Sequence, residues 1–273
     1  MRVVVATTTD DPWAEAFWGS YYRAGGIPPV AVCFLRPRRR APMWKTALEG
    51  LLLFGPLGGA GAWMASRRTR ATLRRRPAQI FTGTTQFHHV STLNKGEGFQ
   101  ILERAAPDLL VSAGSPEIFK VRVLQTATVG AVNVHNGRLP AYRGLFGSFW
   151  EAFNEEEWGY ASVHVMAAEV DAGPVLAQGA VRLAGRALTE ALTAKKELGG
   201  RLLAWVVRHV ETTGRFPPPC PPASGDIPGY YAWPSLRAMG TLALKRLRPG
   251  SRRPVVGGPP VAAWPAEAML GNK

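Results

Sequence analysis

The stretch Ala131-Val132-Asn133-Val134-His135-Asn136-Gly137-Arg138-Leu139-Pro140-Ala141-Tyr142-Arg143-Gly144 decides how this chain reads. Residues 129–134 are an apolar run of strand length, and strand side chains alternate between faces, so Asn133 and His135 project together. Gly137 and Pro140 then break the strand into a loop. A carboxamide that donates N–H groups, beside an imidazole that carries a proton near neutral pH, suits polar acyl chemistry. A second stretch, His164-Val165-Met166-Ala167-Ala168-Glu169-Val170-Asp171-Ala172-Gly173-Pro174, ends in a carboxylate at a Gly-Pro turn.

Outward from this centre, short apolar runs alternate with helical periodicity. Strands are predicted over 2–7, 29–35, 79–82, 108–113 and 127–134. Helices are predicted over 11–24, capped by Thr9 or Asp10, over 94–106 and over 116–125. Strands apolar on both faces, separated by helices, define an α/β fold: a Rossmann-like, mostly parallel sheet covered by helices on both faces. Such sheets bind ligands beyond the carboxyl ends of their strands. Here those ends carry Thr7-Thr8-Thr9, Ala113-Gly114-Ser115 and Asn133-Val134-His135.

Further along, 145–154 reads as a helix whose Phe146, Phe149, Trp150 and Phe153 belong to the core. Strands over 160–166 and 175–183 form a hairpin-like extension through Asp171-Ala172-Gly173. A long amphipathic helix covers 188–213, with Leu192, Leu198, Leu202, Leu203 and Val206 on its apolar side and His209 near its end. The division is a main domain over 1–213 and a Pro/Gly-rich extension over 214–273. Pro217-Pro218-Pro219, Pro221-Pro222, Ala223-Ser224-Gly225 and Pro259-Pro260 exclude regular structure locally. The aromatic Gly229-Tyr230-Tyr231-Ala232-Trp233-Pro234 is suited to pack back on the main domain, and the last two dozen residues are expected to be loosely held.

The 273 residues carry a net charge of +14, unevenly spread. Arg36, Arg38, Arg39, Arg40, Lys45, Arg67, Arg68, Arg70, Arg74, Arg75 and Arg76 face a single acid, Glu49, within that span. The charge suits phosphates, nucleic acid or an anionic membrane surface, or is simply a solvated face. Between these basic clusters, 47–65 is apolar apart from Glu49 and near the lower length limit for a membrane span. Pro56 and the glycines at 50, 55, 58, 59 and 61 argue against a lone stable helix. The segment, an insertion over about 36–78, reads as a soluble packed element, with peripheral membrane contact through 36–76 as its rival. Two distant cysteines, Cys33 and Cys220, exclude a disulfide framework or zinc ribbon. The short N-terminal apolar run, soon followed by Asp10 and Asp11, does not read as a secretion signal, which predicts a cytoplasmic protein.

Taken in order, Asn133-Val134-His135, Leu139-Pro140, Arg143-Gly144, His164 and Asp171-Ala172-Gly173-Pro174 resemble the formyltransferase family. Its members move a formyl group from 10-formyltetrahydrofolate to an amine; they include glycinamide ribonucleotide, methionyl-tRNA and sugar N-formyltransferases. The matching motifs span about 107–178. The resemblance implies a catalytic trio of Asn133, His135 and Asp171, with the amide holding an oxyanion and the imidazole and carboxylate handling the amine proton. No metal is required. Each of the three residues alone also has a plainer reading: a loop cap, a satisfied core histidine, a turn initiator. His164 matches a pocket-lining position and equally suits a strand at a domain edge.

The resemblance further implies a pterin slot between two loops, one with Gly114, Ser115, Pro116 and Ile118, the other with Met166, Glu169 and Val170. Departures from the family bear on the acceptor. The glycinamide ribonucleotide member has a Gly-Ser-Asn phosphate loop after its first strand, where this chain has Thr7-Thr8-Thr9-Asp10-Asp11-Pro12-Trp13, a poor phosphate cradle. The tRNA member carries a β-barrel domain where this sequence shows a Pro-rich tail. Asn136-Gly137-Arg138 replaces a commoner Pro-Ser or Pro-Gly pair, so Arg138 and Arg143 either receive an anionic part of the acceptor or are surface charges. The expectation is formyl transfer to a small-molecule amine, such as an amino sugar nucleotide or natural-product precursor. Its rivals are formylation of an aminoacyl-tRNA, transfer of another one-carbon or acyl unit, and a non-catalytic membrane or nucleic-acid binder on the same fold.

Overall fold

Five hydrophobic runs make the parallel part of the sheet: β1 (Val3–Thr7), β2 (Ala31–Leu35), β3 (Gln86–Val90), β4 (Leu109–Ala113) and β5 (Gly130–His135). The computed structural model describes residues 1–36, 42–221 and 226–247. Arg38–Arg40, Pro222, Ala223-Ser224-Gly225, Pro259-Pro260 and the last two dozen residues lie outside the described residues. The sheet continues antiparallel through β7 (Trp158–Val165) and β8 (Val175–Arg182), giving the order β3-β2-β1-β4-β5-β7-β8. Strand order reverses between β1 and β4, the place where open α/β sheets leave a crevice at their carboxyl edge. A separate two-stranded pair joins β6 (Arg143–Gly144) to β9 (Tyr230–Tyr231).

Alternation splits the core in two. Val3, Val5, Val132 and Val134 pack under α1 (Ala14–Arg23) and α6 (Leu188–Thr213). Val4, Ala6 and Ala131 pack under α3 (Gly96–Ala105) and α4 (Val121–Leu124). Helix α1 starts later than expected, and neither Thr9 nor Asp10 caps it: the Asp11 carboxylate accepts from Trp13 N at 3.0 Å and holds the preceding turn. The strand predicted over 79–82 is also displaced. Ile80 and Phe81 are both buried, and Phe81 packs on Trp18 with ring centroids 4.8 Å apart. Burial of two successive side chains in one core is incompatible with strand alternation, and pairing with β2 falls to 86–90 instead. The helix expected over 116–125 shortens to α4, because Asn94 bridges Ile118 O and Lys120 N and keeps that stretch extended.

The insertion is a helical hairpin. Helix α2 (Met43–Arg75) breaks at Gly55, whose φ of 70° only glycine adopts readily, just before Pro56. The arms fold back so closely that a Cβ on Gly59 would lie 2.9 Å from Gly50 O. Leu53 is buried with Phe149, Leu188 and Leu192, while Leu73 joins the core under α1 and α6. Among the described residues, no helix is long and apolar enough to cross a membrane.

The region after Phe216 holds more order than its prolines suggest. Trp150 Nε1 donates to Ala232 O at 2.9 Å and Phe146 stacks on Trp233, so the aromatic stretch does pack back. A further helix, α7 (Leu236–Leu247), was not anticipated; Ser235 Oγ accepts from Ala238 N at 3.1 Å at its start, and Met239 and Leu242 bury beside Leu53. The local signal was a serine after Pro234 followed by a proline-free run.

Candidate active site

Strand register brings the site together. Asn133 in β5 lies directly opposite His164 in β7. The Asn133 amide donates to His164 Nε2 at 3.1 Å, while His164 Nδ1 donates to Val165 O at 2.9 Å. His135 follows Asn133 on the same side of the strand, and its Nε2–H donates to Tyr142 O at 2.6 Å. Asp171 sits between the two imidazoles: Oδ2 is 3.5 Å from His135 Nδ1 and Oδ1 is 3.4 Å from His164 Nε2. Gly144 N also donates to Asp171 Oδ2 at 2.9 Å. Asp171 holds φ 51°, a left-handed conformation that aspartate and asparagine tolerate better than most residues. The structure therefore unites Asn133, His135, Asp171 and His164 in one cluster.

Electrostatics divide the labour. Burial by itself raises the Asp171 carboxyl, but the imidazoles of His164 and His135 on either side and the Gly144 N–H together hold it at about 2. His135 moves below the ordinary imidazole value because burial outweighs the opposing pull of Asp171 and the Tyr142 carbonyl. At neutral pH the cluster thus holds an anionic carboxylate beside a neutral imidazole whose proton is on Nε2. Its Nδ1 lone pair faces Asp171, so proton uptake there creates a contact with the carboxylate. Long-range ¹⁵N NMR at pH 7 should find His135 in this Nε2–H form. Because its folded pKa is depressed, the stability His135 confers is complete above the ordinary imidazole value of about 6.5 and is lost as pH falls through the folded value. A His135→Gln variant should therefore lose less stability than wild type when denaturation is followed from pH 8 to 5.

The loop after β5 is fixed by polar side chains from distant parts of the chain. Ser148 Oγ and Lys195 Nζ donate to Asn136 O at 3.1 and 3.2 Å, and Ser162 Oγ donates to Gly137 O at 2.7 Å. Gln178 Nε2 donates to Leu139 O at 3.2 Å, and Arg138 N donates to Glu151 Oε1 at 3.0 Å. Glu151 and Lys195, both fully buried, form an ion pair beneath this loop. Burial pushes Glu151 up and Lys195 down, and the charge of each opposes the shift of the other. The clue to Lys195 was its place at helical spacing among Leu188, Leu192, Leu198 and Leu202, where a lysine needs a partner. Gly137 is tight: a Cβ would meet His135 Nε2 at 2.9 Å and Tyr142 O at 3.0 Å. Gly137→Ala should displace the imidazole, lower stability by about 1–3 kcal/mol and reduce turnover on the order of 10²-fold; denaturation and steady-state kinetics check both.

The remaining predicted residues have these surroundings. Gly114 (φ 72°) turns the chain after β4; Ser115 Oγ accepts from Glu117 N at 3.3 Å, Pro116 lies between them, and Ile118 is exposed. Met166 N donates to Ala131 O at 2.8 Å, tying the second loop to β5. Arg143 donates from Nη2 to Val170 O at 2.6 Å and pairs with Glu169 at 2.5 Å. Arg138 pairs with Asp226 at 3.3 Å and Glu156 at 3.7 Å. Both guanidinium groups, read from sequence as either anion receivers or surface charges, thus have carboxylate partners of their own. At the strand-order reversal a shallow cleft is lined by Thr7, Asp11, Trp18, Gly114, Asn136 and Lys196, among others. Lys196 pairs with Asp11, and Arg70 of the hairpin pairs with Asp10 at 2.7 Å, so both carboxylates of the first loop are neutralised. No cluster of three or more metal-ligating side chains occurs among the described residues.

A mostly parallel sheet with polar groups gathered at the carboxyl ends of β4 and β5 defines an open α/β architecture with its ligand-binding edge at those strand ends. The sequence model for "Formyl transferase" matches residues 64–203, half of the chain, and the chain belongs to that family. The methionyl-tRNA formyltransferase of Acidithiobacillus ferrooxidans is 33% identical over 130 residues, 47% of this chain and 41% of that protein. That of Levilactobacillus brevis is 36% identical over 99 residues, 36% of this chain and 32% of that protein. The matched stretch therefore spans well under half the length of these curated relatives. Among solved structures, phosphoribosylglycinamide formyltransferase from Bacillus halodurans superposes with a TM-score of 0.55 at 18% identity, covering 78% of this chain and 97% of that one. A sugar N-formyltransferase from Shewanella sp. FDAARGOS_354 gives a TM-score of 0.55 at 14% identity, covering 89% and 87%. At these identities the superpositions establish the shared fold.

Proposed function

We propose that the protein is an N-formyltransferase that moves a formyl group from 10-formyltetrahydrofolate to the primary amine of a small molecule, of the amino sugar nucleotide or natural-product precursor class. The observation that carries this reading is the Asp171 carboxylate lying between His135 and His164 beside the Asn133 amide. The neutral amine attacks the formyl carbon and a C–N bond forms as the carbonyl electrons move onto oxygen. Asn133 has one N–H on His164 and a second to offer that oxyanion. Asp171, too weak a base at about 2 to keep the amine proton, relays it to His135 Nδ1 and stabilises the imidazolium. The proton returns to the departing folate nitrogen as the old C–N bond breaks. Because His135 Nε2–H is spent on Tyr142 O, the oxyanion role falls to Asn133 and the proton role to His135.

In this reading the folate lies against Gly114, Ser115, Pro116 and Ile118 on one side and Met166, Glu169 and Val170 on the other, with Arg143 bracing the second loop. The cleft lined by Thr7, Asp11 and Lys196 takes the acceptor, and residues 1–213 form the transfer domain with 214–273 appended to it. A second reading, formylation of an aminoacyl-tRNA, is favoured by the names of the curated relatives, methionyl-tRNA formyltransferases. One assay tests both: the protein is incubated with 10-formyltetrahydrofolate and a panel of amines, a charged tRNA among them, and release of tetrahydrofolate is followed. Amine-dependent release supports the reading. Absence of both turnover and folate binding removes it.

A further inference from the structure

The helical hairpin is more than a packed insertion. Its inner side is anchored: Leu53 and Leu73 are buried in separate cores, Phe54 meets Trp13, and Arg70 pairs with Asp10. Its outer side is left to solvent with an unusual composition. Leu57 is 88% exposed, Trp63 55% and Met64 60%, and Trp44 on the first arm is 65% exposed. Isolated exposed apolar residues are ordinary, but six large ones on one helix (Met43, Trp44, Leu51, Leu57, Trp63 and Met64) are not. In the second arm the exposed positions pass from Leu57, Trp63 and Met64 to Arg67 and Arg68 within three turns, so the apolar stretch leads directly into a basic one. The Arg67 guanidinium lies 4.8 Å above the Trp63 ring, an aromatic–cation pair spanning the boundary between them.

We infer that this hairpin docks the protein on the surface of an anionic lipid bilayer, laying Trp44, Leu57, Trp63 and Met64 into the headgroup–acyl boundary while Arg67 and Arg68 bind lipid phosphates. Charge selects the partner. Within 36–76, Glu49 is the sole acid against eleven basic residues, and the whole chain carries +14, so a second copy of the chain is repelled. An RNA backbone satisfies the arginines but gains nothing from desolvating Leu57 and Met64, whereas an anionic membrane rewards both halves of the surface. Neither arm is long and apolar enough to span a bilayer, so the contact is interfacial. Trp63 and the arginines are the residue types that anchor at this depth, with the arginine stems lying along apolar surface and their heads in the phosphate layer.

Co-sedimentation with vesicles of phosphatidylcholine, with and without phosphatidylglycerol, tests this directly. Wild type should bind only the vesicles containing phosphatidylglycerol, with a blue shift of tryptophan emission and quenching by brominated lipid. Replacing Arg67 and Arg68 together by serine should weaken binding about thirtyfold, at roughly fivefold for each basic residue. Replacing Leu57 and Trp63 together by serine should weaken it about tenfold or more. Both pairs are exposed, and circular dichroism should show unchanged melting. Absence of binding to anionic vesicles at low salt overturns the inference, as does wild-type binding without lipid quenching. If the Leu57/Trp63 variant binds as wild type does, or if a structured RNA binds through the same arginines with no contribution from Leu57 and Trp63, the surface belongs to another partner.

Discussion

Asp171→Asn should lower kcat on the order of 10³-fold, the scale on which removal of one preorganised charged or oxyanion-stabilising group acts, while leaving the fold and folate affinity close to wild type. The substitution is conservative where the backbone is demanding, because asparagine tolerates the left-handed φ of 51° at this position. An amide oxygen still accepts from Gly144 N, which now bonds the carboxylate at 2.9 Å. What disappears is the negative charge between His135 and His164, and with it the stabilisation of a protonated His135. The loss therefore falls on kcat, with KM for the folate little changed. An Asp171→Asn variant that kept full turnover would leave the carboxylate a purely structural turn residue.

Lys195→Met should destabilise the protein by about 3–5 kcal/mol, because it strands the fully buried Glu151 carboxylate without its counter-charge. The methionine fills the space of the lysine stem but gives nothing to Asn136 O, so the loop that follows His135 loosens as well. Replacing Glu151 by leucine together with Lys195 by methionine should cost less than the sum of the single changes, since no lone buried charge remains. Some penalty persists in the pair, because Arg138 N and Tyr160 N also lose the acceptor they share in Glu151. Urea denaturation of the two single variants and the double variant measures this coupling. Strict additivity would show that the pair does not act as a unit.

The residues that were legible in advance are those whose neighbours are set by local period. Asn133 and His135 fall on one side of β5 because strand alternation demands it, and the runs flanking Asp171 form the antiparallel pair β7 and β8. Helix α6 carries its 3.6-residue stripe openly and occupies the expected span. What escaped depended on contacts between distant segments. Lys195 and Glu151 are 44 positions apart and each looks like an interruption of an apolar run until the two are brought together. Arg138 and Arg143 carry no sign in the sequence that Asp226, Glu156 and Glu169 will neutralise them. Ile80 and Phe81 have strand propensity, yet tertiary burial against Trp18 wins over it. In the insertion, Pro56 and the glycines at 50, 55, 58, 59 and 61 argue against a lone stable helix and the helix breaks at Gly55, but the close approach of Gly50 and Gly59 that makes a hairpin is visible only in three dimensions.

The proposed reaction is transfer of a formyl group to nitrogen at the Asn133–His135–Asp171 cluster. Its most direct test supplies 10-formyltetrahydrofolate labelled with ¹³C in the formyl group, together with the best ¹⁵N-labelled amine from the acceptor panel. The expected product is a formamide in which the labelled carbon is bonded to the labelled nitrogen, formed by wild type and nearly abolished in Asp171→Asn. Recovery of the label as free formate, at a rate indifferent to the amine, would contradict it.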